Sequence, residues 1–144
     1  MTKISSSLKF FLNLAKIQTV ISRKFDSRLG GLSLNEFIIL YHLSQSPDKK
    51  LRRIDLAEKV GLTASGITRI LLPMEKIGLI KRQINEQDAR VSYVLLAPGG
   101  KQKLSEGIER AEILSEEVIP SSRTKKVEDL SEILTELGGN ILWG

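Results

Sequence analysis

Between Leu51 and Leu96 the chain reads LRRIDLAEKVGLTASGITRILLPMEKIGLIKRQINEQDARVSYVLL. Two short segments with helical apolar spacing are split by a tight turn at Gly61. Two runs rich in β-branched and aromatic residues follow, around a charged tip. Few folds accept that order. Helix, turn, helix and then hairpin is the pattern of a winged helix-turn-helix, which can press one helix into a nucleic-acid groove and flank it with a loop.

The spacing sets the local expectations. A helix over Arg53–Val60 would turn Ile54, Leu56, Ala57 and Val60 inward and stop at Gly61. Thr63 then suits the N-cap of a second helix running to Ile77, with Gly78 at its C-terminal end. Its buried face reads Ile67, Ile70, Leu71, Met74 and Ile77; the opposite face reads Ser65, Thr68, Arg69, Leu72 and Lys76. Pro73 removes the N–H that would bond the Arg69 carbonyl, yet the apolar phase runs through it, so one bent helix is expected and not two. Ile80–Ile84 and Val91–Leu95 suit paired strands around the tip Asn85–Arg90, and Lys49–Leu51 suits a short edge strand.

The flanks read as helices. Residues 5–28 carry two apolar stripes, Phe10, Leu14, Ile17, Ile21 and Phe25 on one and Leu8, Phe11, Leu12 and Ala15 on the other. One core face needs only one stripe, so this helix is expected to pack on its own domain and on another chain. Gly30-Gly31 ends it. Ser33 and Glu36 form a capping-box pair for a helix through Phe37, Leu40, Tyr41 and Leu43, which Ser46-Pro47-Asp48 breaks. After Pro98-Gly99-Gly100, helical phase continues through Leu104, Ile108, Ala111, Leu114 and Val118. It breaks at Pro120-Ser121-Ser122 and resumes through Val127, Leu130, Ile133, Leu134 and Leu137. The whole, 1–144, reads as one mostly helical domain with a small β-hairpin (α+β): about 33–102 forms the winged helix, and about 5–28 and 103–144 form dimerisation helices.

Composition narrows the chemistry. The 144 residues include no cysteine and one histidine, His42, so disulfides and thiol switches are excluded and any metal site would be mostly carboxylate. Residues 1–48 hold six basic and three acidic side chains, residues 49–103 twelve and five, and residues 104–144 four and nine. The basic excess is therefore concentrated on the helix-turn-helix and hairpin, as a polyanion partner requires. No Gly-rich phosphate loop, Ser/His/Asp set or metal-spaced cluster is visible. Glu109, Glu112 and Glu116 fall at helical spacing and read as a solvated face. No catalytic residue, metal or cofactor is expected, and the chain is not read as an enzyme. No apolar run reaches the roughly 20 residues of a membrane span. The acid-free first 25 residues read as an amphipathic helix, since Lys9, Asn13, Lys16 and Gln18 interrupt any leader-like core. The expectation is a cytoplasmic protein with no membrane partner.

Two places could touch DNA. Small residues in Gly61–Gly66 let the second helix bring its N-terminal N–H groups near phosphate. Ser65 and Thr68 can donate to phosphates or base edges, and Arg69 can reach guanine O6 and N7 with both ends of its guanidinium. At the hairpin tip, Asp88 sits two residues before Arg90, where it can hold the loop amides or the guanidinium and aim Arg90 outward. A projecting arginine fits the narrow minor groove.

The runs Thr63–Leu71, Met74–Arg82, Asp88-Ala89-Arg90 and Leu95–Gly100 together resemble the MarR (multiple antibiotic resistance regulator) family. The resemblance covers about residues 33–102 by motif and the flanking helices by layout. It implies a homodimeric winged-helix transcriptional regulator, a repressor more often than an activator, on double-stranded DNA with a palindromic operator. Ser65, Thr68 and Arg69 would fall on the DNA face of the major-groove helix, Arg90 would enter the minor groove, and Asp88 would order the wing; Thr63, Gly66 and Lys76 on the same helix and its cap complete the DNA-binding candidates. It also implies a small aromatic or anionic effector, for which Phe25, Phe37, Tyr41 and His42 are the candidate lining, although aromatics at helical spacing also serve as plain core. Two departures stand out. Leu72-Pro73 occupies positions where charged residues are usual, and Ala97-Pro98 replaces a Thr-Pro cap. The alternative is a winged-helix protein-interaction module without DNA binding.

Overall fold

Alternating caps and glycine stops cut the chain into short elements, and the computed structural model describes residues 2–88 and 90–139 of them. In order they are α1 (Ser6–Asp26), α2 (Leu34–Gln45), β1 (Lys50–Arg52), α3 (Arg53–Val60), α4 (Ala64–Lys76), β2 (Ile80–Ile84), β3 (Ser92–Leu96), α5 (Pro98–Val118) and α6 (Thr124–Glu136). Single 3-10 turns at Pro47–Lys49 and Ser121–Arg123 precede β1 and α6. The architecture is the mostly helical winged helix that the sequence pattern implies, with an antiparallel sheet ordered β1-β3-β2.

The element boundaries have local causes. The Ser33 hydroxyl accepts from the Glu36 N–H at 3.1 Å while Glu36 Oε1 accepts from the Ser33 N–H at 2.8 Å, a complete capping box at the start of α2. α3 and α4 stop by one device. Gly61 and Gly78 take left-handed backbone, with φ of 78° and 80°. The following N–H groups, on Leu62 and Leu79, then reach back to the Ala57 and Met74 carbonyls at 2.9 and 3.0 Å. Pro73 lies inside α4, which continues past it to Lys76 as a single helix.

The core gathers Leu40 and Leu43 of α2, Leu56 and Ala57 of α3, Ile67, Leu71 and Met74 of α4, Ile80 and Val94 of the hairpin, and Leu104 and Ala111 of α5. Two expectations fail here. Ile54 is 64% exposed and not inward-facing. It is the second residue of α3, in the first turn and ahead of the buried pair Leu56 and Ala57. Ile77 is 69% exposed and does not extend the buried face of α4. The helix ends one residue earlier, so Ile77 has left the apolar phase; Leu79, beyond the glycine, turns back and is buried instead.

α1 and α6 bury no residue of their own. They leave Leu8, Phe11, Leu12, Ile17 and Ile21 exposed on one helix and Leu130, Ile133 and Leu134 on the other.

The hairpin meets α5 at a narrow junction. Ala97 offers α5 no side-chain cap, but its N–H donates to the Leu79 carbonyl at 3.1 Å. Three residues on, Gly100 seats α5 so closely that an added Cβ would overlap the Leu79 carbonyl and press on Leu96. Gly100→Ala should therefore lower stability by about 1–3 kcal/mol despite alanine's higher helix propensity. Urea unfolding checks this, and a variant as stable as the parent would contradict the close approach.

Candidate nucleic-acid interface

The start of α4 is set by Thr63, whose hydroxyl accepts from the Gly66 N–H at 3.0 Å and lies 3.3 Å from the Ser65 hydroxyl. Thr63 is thus a capping residue, and Gly66 supplies the N–H it caps. Thr68 is also engaged within the fold: its hydroxyl donates to the Ala64 carbonyl at 2.9 Å and accepts from Arg53 Nη1 at 2.7 Å. Arg53, the first residue of α3, was not distinguished by the sequence reading. Its contact spans fifteen residues and fixes a guanidinium beside the N-terminal turn of α4. The adjacent Arg52-Arg53 pair was the available signal, but nothing in it said which arginine would turn toward α4.

Beyond that turn, Ser65, Arg69 and Lys76 are exposed on the side of α4 opposite Ile67, Leu71 and Met74. The outer face is cationic and the inner face is core.

The wing is braced at both ends. At its base, Arg82 Nε of β2 donates to Glu75 Oε2 of α4 at 3.0 Å, tying the hairpin to the helix. At its tip, Asp88 Oδ1 accepts from both the backbone N–H and Nε of Arg90, at 3.0 and 3.1 Å. These bonds from Arg90 hold the Asp88 carboxyl below the usual carboxylate range. The Arg90 side chain remains 92% exposed. Asp88 thus grips both the loop amide and the guanidinium, the two roles the sequence left open. Between α4 and the wing runs a cleft of about 410 Å³ lined in part by Arg53, Thr68, Glu75, Arg82, Arg90 and Ser92. Of the residues expected to bind DNA, Thr68 of α4 and Arg90 of the wing line this cleft; Thr63, Ser65, Gly66, Arg69 and Lys76 share α4 and its cap outside the cleft, and Asp88 holds Arg90 at the tip.

This geometry has counterparts among known proteins. The model of the MarR family matches residues 32–92, from the loop before α2 to the start of β3. The transcriptional regulator BldR from Sulfolobus solfataricus is 30% identical, with a TM-score of 0.78 over 94% of this chain and 99% of that one. The chain belongs to the MarR family. It is accordingly a DNA-binding transcriptional regulator, and its fold recurs in more distant relatives. Sco3205, a MarR family transcriptional regulator from Streptomyces coelicolor solved in complex with DNA, is 19% identical and superposes with a TM-score of 0.80 over 99% of this chain and 92% of its own. The uncharacterized HTH-type transcriptional regulator YdgJ of Bacillus subtilis (strain 168) is 23% identical over 139 residues, 95% of this chain and 82% of its own length.

The four effector candidates also come together. Phe25 of α1 and Phe37, Tyr41 and His42 of α2 line one open cavity of about 300 Å³ together with Ile108 and Glu112 of α5. His42 is buried, and its Nε2 has no hydrogen-bond partner among the described residues. Burial, and secondarily the Lys59 charge, push the imidazole below its ordinary value of 6.5. The folded state therefore binds the proton less well than the unfolded chain. Stability from this residue is fully present above about pH 6.5 and falls as pH drops toward the depressed value. The urea midpoint of the parent should decline between about pH 7 and 5 more steeply than that of His42→Phe. Parallel pH profiles would contradict a neutral buried imidazole.

Proposed function

We propose that the chain is a homodimeric repressor that places α4 in the major groove and Arg90 in the flanking minor groove of a palindromic operator with half-sites about one helical turn apart. The observation that carries this reading is the presence of two exposed cationic surfaces, one on the outer face of α4 and one at the tip of the wing. Arg69 and Lys76 lie on the outer face of α4, and Arg90 projects from a wing tip that Asp88 holds in place. A protein-interaction module would have little use for a basic excess concentrated on residues 49–103, the segment that carries both surfaces. Within this reading, Ser65 and Arg69 contact the duplex directly, Thr63, Gly66 and Thr68 shape the N-terminal turn, and Lys76 faces phosphate.

In this proposal the single domain divides its labour. The winged helix, about 33–102, binds DNA, and the terminal helices, about 5–28 and 103–144, join two copies. The unburied apolar rows of α1 and α6 support that division, because neither helix has a core of its own to cover it. A small aromatic effector in the Phe25–His42 cavity would release the operator. The cavity touches α1, α2 and α5, so filling it would shift the winged helix against the dimerising helices. No helix among the described residues is long and apolar enough to cross a membrane, which fits a regulator acting on DNA in the cytoplasm.

Arg69→Ala and Arg90→Ala should each weaken binding of a selected duplex by about 1–3 kcal/mol, with unchanged thermal unfolding. Parent-like affinity of the Arg90 variant in a gel-shift titration would overturn the wing assignment. For the dimer, Leu134→Glu should shift the sedimentation mass from two chains toward one, because a buried unpaired carboxylate opposes association. A monomeric parent at micromolar concentration would refute the assembly.

A further inference from the structure

We propose that Leu72 reads a thymine methyl group in the major groove and so specifies one base of the operator, an inference that rests on the docking of α4 proposed above. The outer face of α4 is a stripe at helical spacing, Ser65, Arg69, Leu72 and Lys76. Three of these are polar or charged. Leu72 is not, and it is 45% exposed while its neighbour Leu71 is buried.

A single exposed leucine is ordinary on a protein surface. This one is set apart by its place. Arg69 lies three residues before it and Lys76 four after it, so both cations are its neighbours on the helix surface. A polyanion held by both must lie across Leu72. Pro73, also exposed, follows directly and adds ring carbon to the same apolar spot.

Base edges in the major groove offer hydrogen-bond donors and acceptors almost everywhere; the apolar exception is the C5-methyl of thymine. Leucine pressed on a donor or acceptor would strip its water and return no hydrogen bond. Pressed on a methyl, it removes apolar surface from water on both sides. The leucine therefore selects thymine by penalising the other edges as well as by contacting the methyl. Three residues of helix advance about 4.5 Å, so the thymine should lie about one or two base pairs from the guanine read by Arg69.

The test uses the unmodified protein first. Duplexes are selected from a random library by the wild-type chain, and the best is resynthesised with each thymine in turn replaced by uracil, which removes only the methyl. One thymine close to a required guanine should be sensitive, with affinity falling about fourfold for each methyl removed. Leu72→Ala, at an exposed position where alanine favours helix, should bind the thymine duplex about as weakly as the wild type binds the uracil duplex. It should no longer distinguish the two. Wild-type binding indifferent to every uracil, or a Leu72→Ala variant that keeps the preference, would overturn the assignment and leave DNA binding intact. Retention of no duplex at all would overturn the docking of α4 and the inference with it.

Discussion

The inner face of α4 governs the rest of the molecule. Ile67, Leu71 and Met74 are buried in the core shared with α2, α3 and the hairpin. Each such side chain contributes about 1.5–3 kcal/mol by leaving water. With those three turned inward, the 3.6-residue period leaves Ser65, Arg69, Leu72 and Lys76 no orientation but outward. The proposed groove-facing surface is thus a by-product of packing. The same helix end sets the wing, since the Gly78 turn sends Leu79 into the core and starts β2 one residue later.

Ion pairs do a different job here. The Asp88–Arg90 and Glu75–Arg82 pairs are solvent-exposed and contribute little to stability. Their value is positional. One fixes the approach of the hairpin to α4 and the other orients a guanidinium that is otherwise almost wholly in water. Charge is also segregated along the chain: the basic excess lies on the proposed DNA-facing segment and the acidic excess on residues 104–144.

Much of this was readable in the sequence because it depends on local rules. Ser33 with Glu36, Thr63, Gly61 and Gly78 announce helix ends by side-chain chemistry or backbone freedom, and each acts as expected. The continuity of α4 through Pro73 was legible from apolar phase. Other features depend on contacts far apart in sequence. The Arg53–Thr68 bond joins two helices whose facing sides periodicity cannot specify. Ile54 and Ile77 are apolar residues near helix ends, where a shift of one residue in the boundary or the face decides exposure. Phe25, Phe37, Tyr41 and His42 were named as pocket candidates, but only the packing of α5 across them separates a lined cavity from a filled core.

The central claim, that α4 and the wing grip adjacent grooves of one duplex, is tested most directly by methylation protection on a selected duplex. This chemistry reads guanine N7 in the major groove and adenine N3 in the minor groove. The account predicts protected N7 positions within each half-site, flanked by protected N3 positions that reappear as reactive in the Arg90→Ala complex. A saturated complex in which every guanine N7 stays as reactive as in free DNA would contradict it.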